Sequence, residues 1–189
     1  MGAAEQIPRI SFEEFLRLEE LNASKHEWLN GIVYLMAGGT IEHGRLVDNV
    51  LVVLRRRLEG RPCQPCSGNF LIRTPSGLGA YPDVMVFCEE IRGDPADPQR
   101  AATNPTLLVE VLSDSTEEYD RGEKFENYKS IPSLEEYVLV HQNQQRIEVF
   151  SRKHGWTRHA AGLGESIDLA SIEMRLSVAE VYGARPEVP

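Results

Sequence analysis

The chain has 189 residues, 41% of them hydrophobic, enough apolar material for one packed core and short enough that a single domain over residues 1–189 is expected. Its formal net charge of -9 excludes a generally basic, nucleic-acid-coating protein, so any contact with phosphate has to come from a local basic patch. Three cysteines, no apolar leader and no apolar run near the roughly 20 residues needed to cross a bilayer lead to the expectation of a cytoplasmic protein without a disulfide framework or membrane contact.

In chain order, Ser11 followed by Glu14, with Phe12, Phe15, Leu16 and Leu18 near helical spacing, predicts a capped amphipathic helix over residues 11–21. Asn30-Gly31 is a turn signal: a helix end or strand precedes it, and the alternation of Ile32, Tyr34 and Met36 makes a strand after it. Residues 40–59 carry Leu46, Val50, Val53, Leu54 and Leu58 as the stripe of a long helix, stopped by Gly60 and Pro62. "NFLIRTP", "AYPDVMVF" and "TLLVEVLS" are short, branched apolar runs that predict strands, and residues 91–105 are the longest loop between them. "EYDRGEKFENYKS" predicts one helix ended near Pro132. Residues 134–161 predict a strand, a turn at Gln142 to Gln144 and two more strands, and Ser177 to Tyr182 a short helix. Helices among the early strands and a run of strands after them give an α/β fold, a mixed β-sheet flanked by helices, with its core at about 8–160 and a short helix and tail over 161–189.

Two acids do not belong to a plain strand. Asp83 begins one apolar run, Glu110 sits inside another, and the two stand 27 residues apart, enough for a strand end, a loop and a neighbouring strand. Alternation puts Glu110 on the face of Leu108 and away from Val109 and Val111. Carboxylates flanked this way lose water and repel each other unless a cation compensates, and oxygen ligands on rigid strands suit Mg²⁺ or Mn²⁺.

Pro82-Asp83 in "YPDVMVF", Glu110 in "LLVEVLSDST" and the stretch "DRGEKFENY" resemble the PD-(D/E)XK nuclease superfamily. More closely, they resemble a bacterial family of restriction-endonuclease-like proteins of unknown function. Further matches to the family pattern are Glu27 before the turn glycine, His43 at the start of the long helix, Ser113 after Glu110, Asp120 and Lys124 on the next helix, and "IPSLEEYVLV". Together they span about residues 8–150. One position departs from the superfamily pattern: Leu112 stands two residues after Glu110, where a lysine is wanted, and the resemblance offers Lys124 in its place.

The resemblance implies a restriction-endonuclease-like core and a metal-dependent endonuclease that hydrolyses phosphodiester bonds. Glu27, Asp83, Glu110 and Lys124 would form its catalytic set, and Asp83, Glu110 and Glu27 would hold Mg²⁺ or Mn²⁺. It implies nucleic acid, DNA before RNA, as partner, and a homodimer. The alternative is a catalytically inactive nucleic-acid- or protein-binding module on the same fold. The run Arg55, Arg56 and Arg57, with Arg61 and Arg73 near it, is a candidate phosphate contact or equally a helix end that suits the dipole. His43 is a phosphate contact or a packing residue. The pair Cys63 and Cys66 has no second pair to complete a zinc site and is expected to be structural.

Overall fold

The computed structural model describes residues 9–36 and 38–183; the outer ends of the expected 1–189 domain lie outside the described residues. Helix α1 (Phe12–Leu21) starts at Ser11, whose hydroxyl accepts the Glu14 amide. Strands β1 (His26–Leu29) and β2 (Ile32–Leu35) form a hairpin through Asn30 and Gly31, both with positive φ, the geometry that a two-residue primed turn requires. Helix α2 (Ile41–Arg57) begins at Thr40, which accepts the His43 amide at 3.0 Å and so fixes that histidine in the first turn.

Short strands follow: β3 (Gln64–Ser67), β4 (Leu71–Arg73), β5 (Leu78–Ala80), β6 (Val84–Phe87), β7 (Gly93–Asp94), β8 (Asp97–Ala102) and β9 (Leu107–Leu112). Helices α3 (Glu117–Arg121) and α4 (Glu123–Lys129) lead to β10 (Glu136–His141), β11 (Arg146–Ser151) and β12 (Thr157–Gly162). The hairpin β13 (Ser166–Leu169) and β14 (Met174–Ser177) and helix α5 (Val178–Tyr182) complete the described chain.

The architecture is mixed α/β, as expected, but the strands make two six-stranded sheets and a hairpin rather than one sheet. The first runs β12-β11-β10-β9-β6-β3, with β9 and β10 parallel and its other neighbours antiparallel. The second runs β2-β1-β5-β4-β8-β7. Residues 91–105, expected as a loop, contain β7 and β8. The strand comes from tertiary pairing, because β8 is polar and proline-bearing and finds its partner in β4, through Leu71 with Ala101 and Ile72 with Ala102.

The helix expected over 118–130 is two helices, broken at Gly122, where a Cβ would stand 2.9 Å from the Glu118 carbonyl. The disulfide expectation is also corrected. The pairing of Gln64 with Phe87 sets Cys63 and Cys88 opposite each other just beyond the strands, and they are bonded, leaving Cys66 as the free thiol.

Each face of the first sheet carries a core. On one, Val109, Val111, Val138, Val140 and Val149 pack against Leu46, Val50 and Leu54 of α2. Burying each of those helix side chains contributes about 1.5–3 kcal/mol, which docks α2 firmly. Ile167, Leu169, Leu176 and Val181 join the same core, so the segment expected as a tail is packed as far as Tyr182. On the other face, Leu108, Leu112, Tyr137 and Leu139 meet Phe125 and Tyr128 of α4 and Ile72, Leu78 and Ala80 of the second sheet. No helix among the described residues is long and apolar enough to cross a membrane.

Candidate active site

Because Val84 pairs with Val109, the residue before β6 lies beside the residue after it in β9, and Asp83 meets Glu110. Asp83 Oδ2 accepts the Val111 amide at 2.7 Å, and the Asp83 amide donates to Glu110 Oε2 at 3.3 Å. His43, held in the first turn of α2, brings Nε2 within 3.1 Å of Asp83 Oδ1.

The break at Gly122 starts α4 afresh and turns Lys124 down onto the strands. Lys124 Nζ lies 3.0 Å from Glu27 Oε1, 3.0 Å from Glu110 Oε1 and 3.5 Å from Asp120 Oδ1. Tyr128, one turn on, donates to Glu110 Oε1 at 3.0 Å, and the Tyr119 hydroxyl donates to Glu27. Apart from Tyr128, which is in the core behind them, these groups line one cavity of about 570 Å³, with Val111, Tyr34, Leu35 and Gln142 on its walls.

Four carboxylates therefore share one ammonium and one imidazole. Burial pushes the Glu110 carboxyl well above its ordinary range; Lys124 pulls it back only in part, and Asp120 and Asp83 push it further up. Asp120 is raised for the same reason, by burial first, against the pull of Lys124 and a hydrogen bond from Thr116. Burial opposes the charge on Lys124, yet Glu110, Glu27 and Asp120 outweigh it, so the amine holds its proton far above the usual lysine range. The hydrogen bond to Asp83 raises His43 against its burial, with the Val111 carbonyl adding to the effect.

Glu27, Asp83, Glu110, Lys124 and His43 are thus gathered on one cavity, while Arg55, Arg56 and Arg57 are not. The three arginines form the last turn of α2, roughly 18–21 Å along the helix axis from His43 at 1.5 Å per residue, and Arg57 is spent on Glu180 at 2.7 Å. Arg61 is likewise bonded to the Ile172 carbonyl. Arg73 stacks on Phe12 and Trp28, its guanidinium carbon 4.4 and 4.5 Å from their ring centres. Tyr119 and Thr116 were not legible in the sequence, since only the fold of α3 over the strands sets them against Glu27 and Asp120.

Tyr128→Phe removes one donor from a carboxylate that keeps Lys124 and the Asp83 amide. The expected cost is about 1 kcal/mol, read by urea denaturation; an unchanged midpoint would show that the hydroxyl contributes nothing.

The donor set suits a hard divalent cation in part. Asp83 and Glu110 are adjacent oxygen donors with the Val111 peptide beside them, and Mg²⁺ commonly uses only one or two carboxylates together with water and substrate phosphate. Among the described residues no three His, Cys, Asp or Glu side chains are grouped as a ready shell, because the Lys124 ammonium stands between Glu27, Glu110 and Asp120.

Residues 12–179 match the Uma2 family, described as "Putative restriction endonuclease". The chain belongs to that family. A Synechocystis protein, "Uncharacterized protein slr1290", is 32% identical over 180 residues, covering 93% of this chain and 92% of its own. A second from the same organism, "Uncharacterized protein sll1609", is 35% identical over 140 residues, covering 74% and 78%. The crystal structure of a "putative nuclease belonging to DUF820" from Anabaena variabilis superposes with a TM-score of 0.75 at 15% identity, covering 92% of this chain and 97% of that one. The Uma2 chain thus shares the fold of that protein, and Lys124 stands on a helix rather than on the strand that carries Glu110.

Proposed function

We propose that this Uma2 protein is a metal-dependent endonuclease, a reading carried by one observation: a buried Lys124 joined to Glu110, which lies against Asp83 across two strands. Asp83 and Glu110 would hold Mg²⁺ or Mn²⁺, with Glu27 completing the acidic set. Such an ion, when bound, neutralises phosphodiester charge and acidifies water.

The remaining roles fall to the chain's own groups. Lys124 keeps its proton, so it serves as a donor that orients the attacking water and offsets charge growing on the phosphate, not as a base. Glu27 and Asp120 fix the direction of that ammonium. Asp120, with its proton affinity raised and no ligand role assigned to it, is the carboxylate suited to take the proton of the water. His43 holds Asp83 through Nε2 from the side away from Val111, and with its Nδ1 buried it acts as a positioning residue for Asp83. DNA is the proposed substrate and a homodimer the proposed working form, because one cavity with one catalytic set addresses one strand; light scattering at assay concentration reads the stoichiometry.

The test pairs two measurements on the wild type, Asp83→Asn and Glu110→Gln. Supercoiled plasmid, single-stranded DNA and RNA are incubated with Mg²⁺ or Mn²⁺, and melting is followed with and without the ion. Wild type is expected to cut and to gain stability, about 2.7 kcal/mol at a hundredfold excess over Kd, and both gains should vanish in the variants. Without metal, Asp83→Asn should be the more stable protein, since one of two adjacent like charges is gone. A wild type that neither cuts nor shifts would overturn the reading; a shift without cutting would favour the inactive binding module.

A further inference from the structure

Two strands away from Glu110, the same face of the first sheet carries a second charged group. Glu110 pairs with Leu139 and Leu139 with Glu148, which sets Glu148 about 10 Å from Glu110 at ordinary strand spacing. The Glu148 side chain is 2% exposed and takes Arg121 Nη1 at 2.6 Å, Arg146 Nε at 3.0 Å, His141 Nε2 at 3.2 Å and Arg158 Nη1 at 3.6 Å.

Three guanidinium groups gather around that one buried acid, and the second acid at the group, Glu117, engages Arg121 Nε at 2.7 Å. Three arginines against two glutamates leave one net positive charge before His141 is counted, in a chain whose net charge is -9. Arg146 and Arg158 keep 37% and 56% of their side-chain surface exposed, so the outer edges of both forks face solvent. The group adjoins the cavity: Arg121 follows Asp120 and His141 precedes Gln142, both on the cavity wall.

We propose that Arg146 and Arg158, steadied by Glu148 and Arg121, form a phosphate-binding subsite for the phosphodiester backbone of the substrate strand, two strands of the first sheet away from the bond cut at Glu110. The nature of the ligand rests on the nuclease reading. Glu148 offsets the mutual repulsion of the three guanidinium groups and fixes their planes, leaving outward N–H pairs in the fork geometry that phosphate oxygens accept. The Arg55 to Arg57 run is densest in sequence but stands at the far end of α2, so position selects the Glu148 group instead.

The experiment measures binding apart from cutting. Asp83→Asn protein without divalent metal is titrated onto fluorescein-labelled DNA, single- and double-stranded, over a range of salt, and read by anisotropy. Arg146→Ala and Arg158→Ala, each added to that background, should weaken binding and flatten the plot of log K against log salt by about 0.7–0.9 per residue. Arg56→Ala should change neither quantity, and Arg158→Lys should restore the slope.

Arg158, more than half exposed and at the longest contact, is the variant expected to leave the fold intact; melting checks Arg146→Ala. In cleavage with Mg²⁺, Arg158→Ala should raise KM and spare kcat, because the contact is the same in ground and transition states. Unchanged affinity and slope in both arginine variants, with wild type binding and cutting DNA, would overturn the subsite and leave the nuclease reading standing. A wild type that neither binds nor cuts would overturn both.

Discussion

Lys124→Met is expected to abolish cleavage by two to four orders of magnitude, on the order of a lost positioned proton donor, and to cost about 3–5 kcal/mol of stability. The second effect follows from burial. The Lys124 side chain is 6% exposed and is the single ammonium among Glu27, Glu110 and Asp120, so its removal leaves three buried carboxylates without their cation. A weak surface pair would cost less than about 1 kcal/mol, which makes the size of the loss diagnostic. Urea denaturation gives the stability and plasmid nicking the activity. Adding Glu27→Gln to Lys124→Met should return part of the lost stability, since one orphaned charge disappears. A Lys124→Met protein as stable as wild type would place the ammonium outside the network, whatever its activity.

Glu148→Gln should lower stability at neutral pH by about 3 kcal/mol, the scale for removing one partner of a buried charge group. Burial alone would raise this carboxyl, but Arg121, His141 and Arg146 outweigh it and hold its pKa below the ordinary 4.5. A depressed folded-state pKa means that the stabilisation is present above about 4.5 and is lost as pH falls through the folded value. Wild type and variant should therefore differ most at neutral pH and converge as pH falls through the lowered folded-state pKa. Melting curves across that range test it: a gap that stays constant with pH would mean that packing, not charge, accounts for the loss.

The Glu148 group also shows where sequence reading stops. His141, Arg146, Glu148 and Arg158 are polar residues scattered over three strands, with no spacing that announces a cluster; the antiparallel register of β10, β11 and β12 brings them to one face. Arg121 joins them from α3, and a sequence pattern read one residue at a time sees in it only a partner for Glu117. The paired acids behaved differently. Asp83 and Glu110 were legible because an acid inside an apolar run contradicts its surroundings, and because period-two alternation is enough to assign the face of Glu110.

The sequence by itself determined the local elements whose signals are short-ranged: the Ser11 cap, the Asn30-Gly31 hairpin, the apolar stripe of α2 and the strand around Glu110. It also named the residues that now stand on the cavity, through the order in which Glu27, His43, Asp83, Glu110 and Lys124 follow one another. Tertiary structure alone decided three things. It split the strands into two sheets and made β8 a strand by pairing it with β4. It bonded Cys63 to Cys88 by setting them opposite one another. It also broke the helix at Gly122, which lowered Lys124 onto Glu27 and Glu110 and left the arginines of α2 at a distance. The physical reason is common to all three: hydrogen-bond register, disulfide pairing and ion-pair geometry depend on which distant segments become neighbours, and that is settled by burying both faces of the first sheet, not by any local run of residues.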